Sequence, residues 1–278
     1  MRAVLGRPPL DLRSDAIFRA RVAIDIRLYT DPVSVASWTA EPVLRRLIVE
    51  FGEDVRFTLV MGGLARSFEG RHAELFAEWL EAADRTGMPV DPRLWTEGPL
   101  GTSYPACMAV KAAAEQGPLA ALLYLRALQE GLFCFRRKLD TVEALVEEGR
   151  AAELDAGRFR IDLGSNAIVE AFGNDLEEVR AAEAPLPSAL FGAEGWVRGP
   201  APYETWRSAA IEAGAVASGE PSPDVLTALR RFGHMAEPEV EAVCDLPGPR
   251  ARAELWRLAS EWRARPLRVL TGWLWEPA

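Results

Sequence analysis

The sequence predicts an α/β domain that is interrupted by a long helical block and followed by a small, mostly helical C-terminal module. Three observations carry this. Val22, Ile24, Ile26 and Leu28 alternate with Ala23, Asp25, Arg27 and Tyr29, and Val55, Phe57, Leu59 and Met61 form a second alternating run, the period-two pattern of strands. Between the two runs Trp38, Val43, Leu44, Leu47 and Ile48 recur at helical spacing, and a strand–helix–strand unit of this length requires parallel neighbours with a right-handed crossover. From about residue 68 to 178 the apolar residues keep helical spacing throughout.

Taken in order, residues 1–20 read as an arm, because Arg7-Pro8-Pro9 opposes regular structure. The first strand is a half-buried one and ends at Asp31-Pro32. A helix opens at about Ser34, a plausible N-cap. The unpaired N–H groups and the positive dipole end of that helix place Ser34 and Ser37 where an anion or thiolate would be stabilised. Gly62-Gly63 closes the second strand and lacks the glycine spacing of a phosphate loop. The helical block begins with Leu75, Phe76, Trp79 and Leu80, breaks at Gly87-Met88-Pro89, and resumes with Pro105 in a first turn. Leu122, Leu123, Leu125, Leu128, Leu132 and Phe133 make a core-facing stripe, Val142, Leu145 and Val146 start another helix, and residues 159–180 read as helix. Strand signals return at Leu186–Phe191 and Gly195–Gly199, then a helix over 202–214. After the linker 217–223, helices are expected at 224–232, 236–244 and 250–262, with an extended end at 268–275.

At 278 residues, 49% apolar and 26% charged, the chain has ordinary globular composition. A net charge of −9 argues against general nucleic-acid or anionic-membrane binding. The N-terminus has prolines and charges where a secretory segment needs an unbroken apolar run, and no later stretch has the length of a span, so the expectation is a cytoplasmic protein. Cys107, Cys134 and Cys244 are odd in number and far apart, which suits buried free thiols. His72 has no partner at ligand spacing, and no metal is expected. The C-terminal arginines Arg250, Arg252, Arg257, Arg263, Arg265 and Arg268 are interspersed with Asp245, Glu254 and Glu261. Three short helices and a β-tail are compatible with a winged-helix-like module, but this mixture suits a solvated surface or a lid on the main domain better than a DNA reader.

The stretch DPVSVASWTAEPVLRRL resembles the active-site turn of the DsbA-like family of the thioredoxin superfamily, where a DPxCxxC or DPxCxxSW pattern is followed by E-P-x-L. MGGLAR, TSYPACMAVKAA, ALQEGLF, EVEAVCDLP and the terminal TGxLW pattern are similar to the same family, including its protease-adaptor branch, so the resemblance covers residues 22–278. It implies an α/β, thioredoxin-like fold at 21–66 and 180–216, a helical insertion at 67–179 and a C-terminal module at 222–278. It also implies a cis-proline before the third strand, with Pro187 the candidate and Pro185 the competitor, and a peptide groove involving Asp31, Trp38, Pro187 and Ser188. In this sequence both members of the Cys-x-x-Cys pair are serine, Ser34 and Ser37. An alcohol cannot form a disulfide, so dithiol exchange at this turn is chemically excluded.

Three readings of the serines stand side by side. In the first, the scaffold is kept for binding, as in adaptor members: a peptide or protein partner occupies the groove, Trp38, Trp196 and Trp206 are candidates to line it, and no cofactor is needed. In the second, DPVSVASW is similar to the serine turn of kappa-class glutathione transferases and chromene-carboxylate isomerases, which implies glutathione as cofactor and Ser34 as hydrogen-bond donor to its thiolate. In the third, Ser34 is an N-cap, which contributes about 1 kcal/mol with no ligand.

Overall fold

The computed structural model describes residues 23–278, so the arm expected at 1–20 and Val22 lie outside the described residues. The central strand β1 (Ile24–Thr30) is followed by α1 (Val35–Thr39), α2 (Glu41–Phe51) and β2 (Val55–Met61). β1 and β2 pair in parallel from Ile24↔Val55 to Thr30↔Met61, as their helical connection requires. The strand expected to be half-buried is more enclosed than that. Ile26 and Leu28 face the main core, while Tyr29, with Val60, is covered on the other face, so alternation fades along β1. The first helix is two helices. Ala40 N–H turns back to Ser37 O at 3.2 Å, and Pro42 has no N–H with which to continue the ladder.

The helical block comprises α3 (His72–Thr86), α4 (Leu94–Glu97), α5 (Tyr104–Ala114), α6 (Pro118–Gln129), α7 (Val142–Ala151), α8 (Ala156–Leu163) and α9 (Asn166–Ala182). Residues 159–180, expected to be helical, are so in two helices divided at Gly164, where Ser165 caps α9 by accepting from Ile168 N. The stripe on α6 is core at Leu125, Leu128, Leu132 and Phe133, but Leu123 is 55% exposed. α6 runs into a single π turn, Glu130–Cys134. The chain then returns to the sheet through β3 (Ser188–Phe191) and β4 (Gly195–Arg198), followed by α10 (Tyr203–Glu212). Both new pairings are antiparallel, giving strand order β2-β1-β3-β4.

The C-terminal piece holds α11 (Val225–Phe232), β5 (Met235–Ala236), α12 (Glu237–Cys244), α13 (Gly248–Ser260), β6 (Ala264–Arg268) and β7 (Trp273–Pro277). The extended end expected at 268–275 is a hairpin, with its turn at Val269–Gly272 and β7 central between β5 and β6. The order helix, strand, two helices, hairpin is that of a winged helix. Its wing is not free: Thr271 N donates to Val90 O at 3.2 Å and Val90 N donates to Thr271 Oγ1 at 2.8 Å.

α12 lies on α2, and charge fills the joint. Glu239 is fully buried and pairs with Arg45 at 3.0 Å and with Arg126 of α6 at 2.7 Å. Arg126 also reaches Glu41 at 3.1 Å and Glu130 at 2.6 Å. His234 sits between Glu130 (2.7 Å) and Glu276 (3.1 Å), and the Glu130 hydrogen bond raises its pKa. Burial alone would raise Glu130, but Arg126 and His234 bring it down to about 2. A buried pair that loses one partner leaves an uncompensated charge. Glu239→Gln is therefore expected to lower unfolding free energy by about 3–5 kcal/mol in urea titration, with no resolvable change for Glu261→Gln, whose pair with Arg257 is in solvent.

Candidate functional site

The turn between β1 and α1 is built around Asp31, which has no exposed surface. Its Oδ1 accepts from Val33 N at 2.8 Å and its Oδ2 from Leu64 N at 2.6 Å, so one carboxyl ties the end of β1 to the chain leaving β2. Cys107 Sγ on α5 lies 3.2 Å from Oδ2 and donates to it. Burial holds the Asp31 carboxyl above the ordinary range against the pull of those N–H donors.

Ser34 and Ser37 occupy the two positions at the head of α1. Ser34 has extended φ/ψ, its N donates to Asp31 O at 3.1 Å, and its Oγ accepts from Ser37 N at 3.2 Å. It is thus an N-cap whose oxygen acts as acceptor, a bond that does not use its O–H proton. Both serines are almost closed off, at 5% and 2% exposure, and Ser37 Oγ has no hydrogen-bond partner among the described residues. No thiol replaces them. Burial raises Cys107 and Cys134 well above the usual thiol value, with Asp31 adding to the effect at Cys107, and pushes Cys244 up to about 12. All three remain protonated near neutral pH, so none offers a thiolate.

The Leu186–Pro187 peptide is cis, at the proline expected rather than at Pro185. Pro187 leads into β3, where Ser188 pairs with Tyr29 of β1. Leu186 closes against Gly62: a Cβ on Gly62 would lie 2.3 Å from Leu186 Cδ1, so a larger residue there would have to displace the Leu186 side chain. Ser188 turns away from any groove. Its hydroxyl donates to Pro185 O and accepts from Gly199 N at 3.1 Å, and the residue is fully buried.

Trp38, expected to line a groove, is core. It is fully buried, its Nε1 donates to Pro89 O at 3.1 Å, its ring stacks on Phe133 at 5.6 Å, and Arg126 covers it at 4.4 Å. Trp206 is buried against Phe191. Trp196 alone of the three is half-buried, between Tyr29 and Arg198. The structure therefore brings Asp31, Ser34 and Ser37 together at one turn and makes Trp38 and Ser188 internal supports.

Sequence reasoning missed an apolar cavity of about 270 Å³ between α2, α6 and the end of α11, lined by Leu44, Ile48, Leu122, Leu123 and Phe232 with Arg126 at its side. The signal was present. Leu119, Leu122 and Leu123 widen the α6 stripe beyond what one core face needs, and Leu119 is 67% exposed.

A family model described as thioredoxin matches residues 28–188. The ClpXP adapter protein SpxH of Halalkalibacterium halodurans is 27% identical over 274 residues, covering 92% of this chain and 90% of that protein. SpxH of Bacillus subtilis is also 27% identical, over 268 residues, with coverage of 91% and 89%. The uncovered remainder is shorter than the C-terminal module, so the likeness reaches into that module. Among solved structures, the cytosolic disulfide reductase DsbM from Pseudomonas aeruginosa superposes with a TM-score of 0.54 at 21% identity, covering 67% of this chain and 92% of that one. A structure described as a protein disulfide isomerase from Nitrosomonas europaea gives 0.62 at 16% identity, covering 69% and 97%. These two likenesses are of fold.

With Ser34 accepting from Ser37 N and both serines closed off from an incoming thiolate, Ser34 serves as a cap. Ser34→Ala is expected to cost about 1 kcal/mol of stability. Calorimetric titration with millimolar reduced glutathione is expected to show no binding in either protein; binding that weakens in the variant would move the assignment to a glutathione-dependent site.

Proposed function

This chain belongs to the thioredoxin family, and from that premise we propose that it is a protein adaptor, one that presents a client to a ClpXP-type protease and carries out no thiol chemistry. The observation that carries this reading is the turn itself. Both positions that would hold the redox pair are serine, both are closed off, and the oxygen of the first serves the helix. What remains useful is the surface.

Support comes from the extent of the likeness to proteins named as ClpXP adapters, which takes in the C-terminal module as well as the thioredoxin-like part. An adaptor must hold two partners at a fixed separation, and the buried charges between α2, α6 and α12 give one rigid body on which to do so. The exposed leucines of α6, beside the cavity they share with Ile48 and Phe232, supply apolar area of the kind that protein partners cover. No helix among the described residues is long and apolar enough to cross a membrane.

The test is made in cells. Protein half-lives are followed after translation is stopped in the parent strain, in a strain lacking this chain, and in one lacking the ClpX unfoldase. A common set of proteins should be stabilised in both deletions, and the Ser34→Ala chain should restore their turnover. Two stabilised sets without overlap would contradict the adaptor reading.

A further inference from the structure

A second cavity, of about 350 Å³, opens where the C-terminal hairpin meets the main domain, and its walls include Asp91, Arg93, Phe135, Arg136, Arg268 and Leu270. Three arginines line it in a chain whose net charge is −9. Each is already anchored along one edge. Arg93 grips Asp91 through Nε at 2.8 Å and Nη2 at 2.5 Å. Arg136 reaches Asp91 through Nε at 3.3 Å and Glu97 through Nη1. Arg268 donates from Nη1 to Gly272 O at 3.1 Å and from Nη2 to Leu270 O at 3.3 Å, with its face over Trp273.

These anchors leave Arg93 Nη1, Arg136 Nη2 and Arg268 Nε without a partner among the described residues. Asp91 and Glu97 offset two of the three charges. Arg268 has no carboxylate partner among the described residues, so the cavity keeps one positive charge in excess. Asp91 is buried, and Arg93 and Arg136 hold its carboxyl below the ordinary range although burial opposes them.

Arg136 follows the π turn with φ of +54°, the left-handed conformation that ends a helix, and Arg137 N donates back to Gly131 O at 2.7 Å to close that cap; the helix end thereby fixes where the Arg136 side chain starts.

We propose that this cavity is an oxyanion site that takes the phosphate or carboxylate group of a small molecule, a role separate from that of the adaptor surface. Guanidinium groups suit such ligands because their N–H donors match the geometry of the oxygens. Here their side-chain freedom is already spent on Asp91, Glu97 and the hairpin carbonyls, so an arriving anion meets donors already in position. Phe135 gives a half-buried ring for an apolar portion of the ligand. Because Arg93 and Arg136 belong to the main domain and Arg268 to the C-terminal module, a bound anion joins the two and raises the midpoint of their unfolding.

The probes are inorganic phosphate and succinate, each titrated calorimetrically into the full chain in chloride buffer at constant ionic strength, with thermal midpoints read in parallel. One of them is expected to bind and to raise the midpoint. Loss of a single charged hydrogen bond should weaken binding about tenfold in Arg268→Gln and in Arg136→Gln, while Arg250→Gln, away from the cavity, keeps it. Response to phosphate alone assigns a phosphate ligand, and response to succinate alone a carboxylate. The proposal is overturned if neither anion binds, or if the wild type and both cavity variants bind equally.

Discussion

One buried carboxylate organises the molecule. Glu239 on α12 meets Arg45 and Arg126 while its other oxygen accepts from Ala236 N at 2.6 Å, so it caps its own helix and joins two domains at once. Glu239 is the carboxylate that the two buried arginines share, with Glu41 beside both and Glu130 beside Arg126. Arg126 passes the constraint on: it covers Trp38, the Trp38 indole holds Pro89 O, and the next residue, Val90, receives the tip of the C-terminal hairpin. The head of α1, the loop over it and the C-terminal module thus form one connected body.

That connection explains why the turn reads as structure rather than chemistry. A redox turn must expose its nucleophile and stabilise a thiolate at the helix N-terminus. Here one N–H of the same helix end, Ser37 N, is given to Ser34 Oγ, and Asp31 spends both carboxyl oxygens on the two strand ends. The surfaces proposed above to carry function, on α6 and around the hairpin, are held in register by this rigid body.

Much of the fold was legible because it depends on local pattern. β1 and β2 showed themselves by alternation, α5 by Pro105 in its first turn, and the cis bond by the position of Pro187 in a family motif. The break at Ala40 was written in Pro42 but masked by apolar spacing that continues across it. The hairpin at the end was harder, because Arg268–Trp275 is extended on both sides of a turn and periodicity alone does not show a reversal. Site residues divided in the same way. Ser34, Ser37 and Asp31 share a turn that sequence neighbours define, whereas the inward orientation of Trp38 and Ser188 depends on Pro89, Arg126, Pro185 and Gly199, partners that no spacing rule links to them.

The most direct measurement is native-state hydrogen exchange across the joint, comparing amides of Val240 and Val243 on α12 with those of Leu44 and Leu47 on α2 as denaturant is raised. If the charges around Glu239 make one body, the two sets open together, with the same free energy and the same dependence on denaturant. Exchange of the α12 amides through a separate, lower-energy opening, while α2 stays protected, would contradict the account.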